Sequence, residues 1–120
     1  MFFKKIISWV QLFSSEAAAK EAIQLNQIYS TQIGKHRICI VHTKEGFYAV
    51  NDKCPHNGAS LSRGFCSEDG AIVCPVHRYR FDLKTGRAKS GIGDVATIYP
   101  IEVRSDGIFI GFEEKVWNLF

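Results

Sequence analysis

Long hydrophobic runs are missing from the sequence. No apolar stretch among its 120 residues approaches the roughly 20 of a membrane-spanning helix, so the chain is expected to be soluble or at most peripheral. Charge of one sign is scarce as well. Fifteen Lys and Arg against twelve Asp and Glu leave a net +3, too little for the basic surface of a nucleic-acid binder. The excess is N-terminal: residues 1–53 carry seven basic and four acidic side chains, residues 54–120 eight of each. Internal repeats, low-complexity tracts and linkers are absent, and a hydrophobic fraction of 46% excludes wholesale disorder and a coiled coil. One domain of this size buries roughly two thirds of its unfolded surface and folds without disulfides. Cysteine is limited to four residues, with no convincing secretory signal, which points to a reducing, cytoplasmic compartment where Cys more often binds metal than forms a bridge.

The pattern along the chain divides near residue 25. In MFFKKIISWVQLF, residues Phe2, Phe3, Ile6, Ile7, Val10 and Phe13 recur at helical spacing, which predicts a short amphipathic helix. Its apolar face would dock on the core beside Trp117 and Phe120, or alternatively on a membrane surface or a second subunit. Two Lys, an apolar octet and Ala17-Ala18-Ala19 also resemble a weak signal peptide, interrupted at Gln11. Ser15 before EAAAKEA reads as an N-cap. Residues 1–25 are thus expected to form an N-terminal helical extension, and 26–120 a single domain. From Ile28 onward, short β-branched runs predict strands at 28–32, 37–43, 47–51, 64–67, 71–74, 79–82, 97–104 and 108–112. Glu45-Gly46, Asp69-Gly70, Thr85-Gly86 and Asp106-Gly107 punctuate them as tight turns. The fold class is all-β, a small antiparallel sandwich or barrel with a short N-terminal helix.

The chemistry is concentrated in CPHNGASLSRGFCSEDGAIVCPVH, residues 54–77. Two Cys-Pro pairs occur, each with a His close behind: Cys54-Pro55-His56 and Cys74-Pro75-Val76-His77. Composition alone would yield about 0.1 such pairs in the chain. Two thiolates and two imidazoles could hold a tetrahedral zinc ion, although zinc knuckles usually pair like ligands, CxxC or HxxxH. Loops that each contribute one Cys and one His suit a two-iron cluster with unlike irons, both thiolates on one and both imidazoles on the other. A catalytic Cys/His pair is the weaker alternative, since neither loop carries an acid or amide placed to orient the His.

These residues resemble the signature of the Rieske-type 2Fe-2S proteins, CxH followed by CxxH. The resemblance extends through CPHNGASLSRG and CPVHRYRFDLKTGRAKSG, and more weakly over residues 28–112. It implies a Rieske-like cluster-binding subdomain with cluster loops 54–64 and 74–81, and Cys54, His56, Cys74 and His77 as ligands of one 2Fe-2S cluster. Relatives in cytochrome bc complexes carry a disulfide between the loops and hydroxyls beside the cluster; here Ala59, Val76, Tyr79 and Phe81 occupy those positions. The chain is therefore similar to the soluble ferredoxins of ring-hydroxylating oxygenases, or to the similar small domains attached to reductases, with a low potential expected within the Rieske range. Arg78 stands where the family commonly has Gly.

Other residues have simpler readings. Pro55 and Pro75 stiffen the loops, Gly58 and Gly64 permit their turns, and Gly91 and Gly93 could form a third loop over the cluster or a plain surface loop. Leu61, Phe81 and Leu83 read as core, Cys39 and Cys66 as inert strand residues, His36 and His42 as solvated. Arg78, Arg80, Lys84, Arg87 and Lys89 against Asp82 give a local +4, either a solvated face or a docking surface. The resemblance implies a one-electron carrier rather than a catalyst, fed by a flavin reductase and feeding an oxygenase, with no nucleic-acid partner. The alternatives are a small subunit of a nitrite-reductase-like complex and a structural zinc module.

Overall fold

A computed structural model describes residues 2–89 and 93–118. Among them, ten strands and one α-helix follow in the order β1 (Phe2–Phe13), α1 (Glu16–Ala22), β2 (Ile28–Ile33), β3 (His36–Thr43), β4 (Gly46–Asn51), β5 (Phe65–Cys66), β6 (Ala71–Val73), β7 (Arg80–Asp82), β8 (Ile98–Tyr99), β9 (Ile101–Arg104) and β10 (Gly107–Asn118). They form three antiparallel sheets ordered β1-β10-β9, β2-β3-β4-β8 and β5-β6-β7, with no closed barrel among the described residues.

Strand β3 explains how the sheets share a core. Its run Ile38-Cys39-Ile40-Val41 is buried on both faces, so its sequence is continuously apolar rather than alternating. Ile38 and Ile40 pack with Ala19, Phe47, Ala49, Ile108 and Ile110, toward the terminal sheet. Cys39 and Val41 point the other way, into an apolar cluster with Cys54, Leu61, Ile72, Cys74, Phe81 and Leu83. The two faces of one strand therefore tie the terminal strands to the loops that carry Cys54 and Cys74 through consecutive residues.

The helix expected over residues 2–13 is instead strand β1. It runs antiparallel to β10 from Phe2↔Asn118 to Gln11↔Phe109, with a register shift before Phe13. A lone helix of that length is marginal in water, whereas Ile6, Ile7 and Val10 are β-branched and find a twelve-residue partner strand. Trp117 is accordingly the ladder partner of Phe3; Phe120 lies outside the described residues. The helical part of the N-terminal segment is α1 alone, where the Ala18 N–H donates to Ser15 Oγ at 3.0 Å.

The expected strand 97–104 is divided at Pro100. Lacking an N–H, proline cannot continue a ladder, and the chain changes sheets there: β8 pairs with β4, β9 with β10. Gly64 and Gly86 mark close backbone approaches. A Cβ on Gly64 would lie 1.7 Å from the Val73 carbonyl oxygen, and one on Gly86 2.1 Å from that of Ala96.

Candidate metal centre

The first loop leaves β4 at Asn51 and is folded around Asp52. The Asp52 carbonyl accepts the Leu61 N–H at 2.6 Å. Its carboxylate accepts the Ser62 N–H at 2.8 Å, the Ser60 hydroxyl at 2.6 Å and the Cys39 thiol at 3.2 Å. Burial pushes the Asp52 carboxyl up, but the bonds from Ser60, Ser62 and Cys39 outweigh it and hold the group below the usual carboxylate range. The same contact, added to burial, pushes the Cys39 thiol far up, so it remains a protonated donor. Inside this frame Cys54 closes a tight loop: its N–H donates to the Ala59 carbonyl and its carbonyl accepts the Gly58 N–H, both at 2.8 Å, with Gly58 at φ 79°.

The second loop is the tip of the β6-β7 hairpin. The Cys74 N–H donates to the Tyr79 carbonyl at 2.8 Å. His77 and Arg78 both take left-handed conformations, φ 60° and 55°. Such values favour glycine, and here two ordinary residues adopt them in succession.

The four expected residues divide by depth. Cys54 and Cys74 are buried, 1% and 0% exposed, within the apolar cluster that contains Leu61, Phe81 and Leu83. Burial pushes the Cys54 thiol up; the N–H groups of Asn57 and His56 oppose this, and the neighbouring Cys74 thiol reinforces it. The Asn57 side-chain amide lies 3.9 Å from Cys74 Sγ. His56 and His77 are both exposed. The His56 ring lies against Tyr79, centroids 4.1 Å apart, and its Nδ1 is 3.0 Å from Asp94 Oδ2.

Among the described residues, no three or more His, Cys, Asp and Glu side chains gather about one point as a single ion requires. The donors are a buried pair of thiols in mutual reach and two exposed imidazoles, one on each loop. That division fits a two-iron cluster with unlike irons better than one tetrahedral ion.

Sequence reasoning missed Asp52 and Asp94, each of which acts through tertiary contacts. Asn57 lies inside the motif and carried a visible signal, an amide three residues after Cys54. Asp94 brings the segment after Gly93 against the first loop; Gly91 lies outside the described residues. His36 and His42, expected to be solvated, are half-buried. His36 stacks on Phe112 at 5.3 Å, and His42 stacks on Phe47 at 4.5 Å while its Nδ1 sits 2.7 Å from the Ile23 carbonyl oxygen. A flat ring completes an apolar contact there while one nitrogen keeps a polar partner. Cys66 is buried in β5 as expected. Three of the five clustered cations are paired, Arg80 with Asp69, Lys84 with Glu45 and Lys89 with Asp82.

A β-sheet core with two loops, each presenting a buried Cys and an exposed His, points to a metal-binding domain. The Rieske [2Fe-2S] domain family matches residues 13–98, and the chain belongs to that family, whose Rieske-type cluster is its cofactor. It is 44% identical over 69 residues to the 3-phenylpropionate/cinnamic acid dioxygenase ferredoxin subunit of Shigella boydii, a match covering 57% of this chain and 65% of that protein, just under two thirds of its length. The fold is similar to the ferredoxin of carbazole 1,9a-dioxygenase from Nocardioides aromaticivorans, with TM-score 0.71, 21% identity, and 86% of this chain and 96% of the other covered. It is also similar to a Mycobacterium tuberculosis chain provisionally named an NADH-dependent nitrite reductase small subunit, with TM-score 0.75, 18% identity, and coverage of 89% and 96%.

Proposed function

We propose that the protein is a one-electron carrier whose cluster is held by Cys54 and Cys74 on the inner iron and by His56 and His77 on the outer one. The observation that carries this reading is the division by depth: two buried thiols in mutual reach and two exposed imidazoles on the same two loops. The cluster-bearing unit is residues 26–120, with 54–64 and 74–81 as cluster loops and β1 as its added edge.

When bound, the cluster supplies a site that accepts and returns one electron. Two imidazoles in place of two thiolates would leave the bound cluster two charges less negative than an all-Cys site. Neutral imidazole ligands thus make reduction easier. The chain's own part is to exclude water from the thiols, through Leu61, Phe81 and Leu83, and to leave the imidazole edge open. All four protein positions are filled, so the protein transfers electrons rather than transforming a substrate.

The donor is a flavin reductase and the acceptor an oxygenase, in the cytoplasm. The dioxygenase ferredoxin subunit, at 44% identity, supports this more strongly than the nitrite reductase small subunit does at 18%, which is a likeness of fold alone. The test is a visible and EPR spectrum of the purified protein with iron and sulfide analysis. Two irons and two acid-labile sulfides per chain are expected, and zinc without labile sulfide would overturn the reading. Voltammetry should give a potential toward about −150 mV rather than +300 mV, since the chain lacks the loop hydroxyls that stabilise the reduced state.

A further inference from the structure

Strands β1 and β10 run side by side beyond the point where β9 stops. The β9 ladder covers only residues 107–110 of β10, so residues 2–7 and 113–118 continue as a two-stranded ribbon. An isolated two-stranded ribbon is marginal in water, and this one carries exposed apolar side chains, Phe3 at 53%, Ile7 at 47% and Val116 at 38%.

Its polarity is ordered along its length. The outer rungs, Phe2↔Asn118, Phe3↔Trp117, Lys4↔Val116 and Lys5↔Lys115, contain aromatic residues and three Lys but no acid. The next two rungs, Ile6↔Glu114 and Ile7↔Glu113, hold both acids. Lys5 and Lys115 face each other directly across the ladder, a like-charge pairing that costs stability unless anions lie nearby. Glu113 answers only part of it, 3.6 Å from Lys5 and well exposed.

We propose that the ribbon tip is an interfacial anchor that docks on an anionic lipid bilayer. Aromatic and basic residues on the outer rungs, with acids held one or two rungs back, are the arrangement a headgroup layer favours: the exposed Phe3 ring enters the interface, Lys side chains reach phosphates, and Glu remains in water. At about 3.3 Å per residue, the four outer rungs span roughly 10–13 Å, enough to cover the 5–10 Å depth of interfacial insertion. A second copy joined through the tip fits less well, since antiparallel β1–β1 pairing centred there would set Lys4 and Lys5 of both copies opposite one another. The anchor would hold the carrier at a membrane surface.

The test is flotation of the intact, cluster-loaded protein with vesicles of phosphatidylcholine containing 30% phosphatidylserine, and with pure phosphatidylcholine. Binding is expected to the anionic vesicles only, and to weaken in high salt. With each Lys contributing about 1 kcal/mol near such a surface, Lys4→Glu with Lys5→Glu should weaken binding more than tenfold. Lys4→Gln with Lys5→Gln, a milder change to the ribbon, should weaken it by about tenfold or more, and Phe3→Ser should also weaken it. An unchanged visible spectrum and melting temperature show that each variant is folded. No binding by the folded wild type, equal binding to both vesicles, or a concentration-dependent dimer abolished by the same substitutions in place of lipid binding would overturn the proposal.

Discussion

The first cluster loop, between β4 and β5, is shaped by one side chain: Asp52 gathers a backbone N–H, a hydroxyl and a thiol from three positions along the chain. In the second, between β6 and β7, the backbone does this work, through the Cys74 to Tyr79 hydrogen bond and two consecutive left-handed residues, His77 and Arg78. Both deliver a buried Cys and an exposed His. A wide loop, residues 52–64, needs a central acceptor, whereas a hairpin tip is already closed by its flanking ladder, Val73↔Arg80. Similar ligand patterns thus rest on different supports, and the two should fail differently.

The largest effect should come from the four proposed ligands. Cys54→Ser, Cys74→Ser, His56→Ala or His77→Ala should each abolish the visible and EPR signals, showing that neither loop holds the cluster alone. A variant that retains the full spectrum would remove that residue from the ligand set.

Asp52→Ala should come next. It leaves the Ser62 N–H and the Cys39 thiol buried without their acceptor, at a cost of about 3 kcal/mol in denaturant unfolding. Asp52→Asn should cost less, because the amide oxygen keeps part of the acceptor role. Hydrogen exchange should open residues 54–64 while residues 74–81 stay protected; equal opening of both would break the distinction. Because the Asp52 carboxyl titrates below its ordinary value of about 3.9, its contribution is present above that pH and is lost as pH falls through the depressed value. The difference between wild type and Asp52→Asn should therefore narrow below about pH 4.

Arg78→Gly sharpens the comparison from the other side. Glycine relieves a left-handed residue at φ 55°, partly offset by the added freedom of the unfolded chain, for a net gain of about 0.5 kcal/mol or roughly 2 °C in Tm. A loss of stability would mean that the Arg78 side chain contributes contacts worth more than the backbone strain.

The smallest effect concerns docking. With Arg80, Lys84 and Lys89 each paired to an acid, exposed Arg78 directly follows the proposed ligand His77. Arg78→Glu should slow electron transfer with an acidic partner severalfold at low salt, and the difference should vanish at high salt. Rates insensitive to both would return Arg78 to a merely solvated surface.

The family was legible because its signature depends on residue type and spacing within short loops, and Cys54-Pro55-His56 and Cys74-Pro75-Val76-His77 carry that information locally. The central strands were legible for a similar reason: Ile38 to Val41 and Phe47 to Val50 are apolar at strand length, and their turns contain the glycines that positive φ requires. The N-terminal segment could not be read so, since Phe2 to Phe13 satisfies helical spacing and strand propensity alike. Only its partner, almost the whole chain length away in β10, decided between them. Asp52, Asp94 and the stacked His36 and His42 depend on tertiary contact in the same way. Local sequence determined which atoms could bind iron and where the chain turns; long-range pairing alone determined which strands lie on the edge and which carboxylates brace the loops. Those choices turn on the free energy of contacts between distant residues, which no short segment encodes.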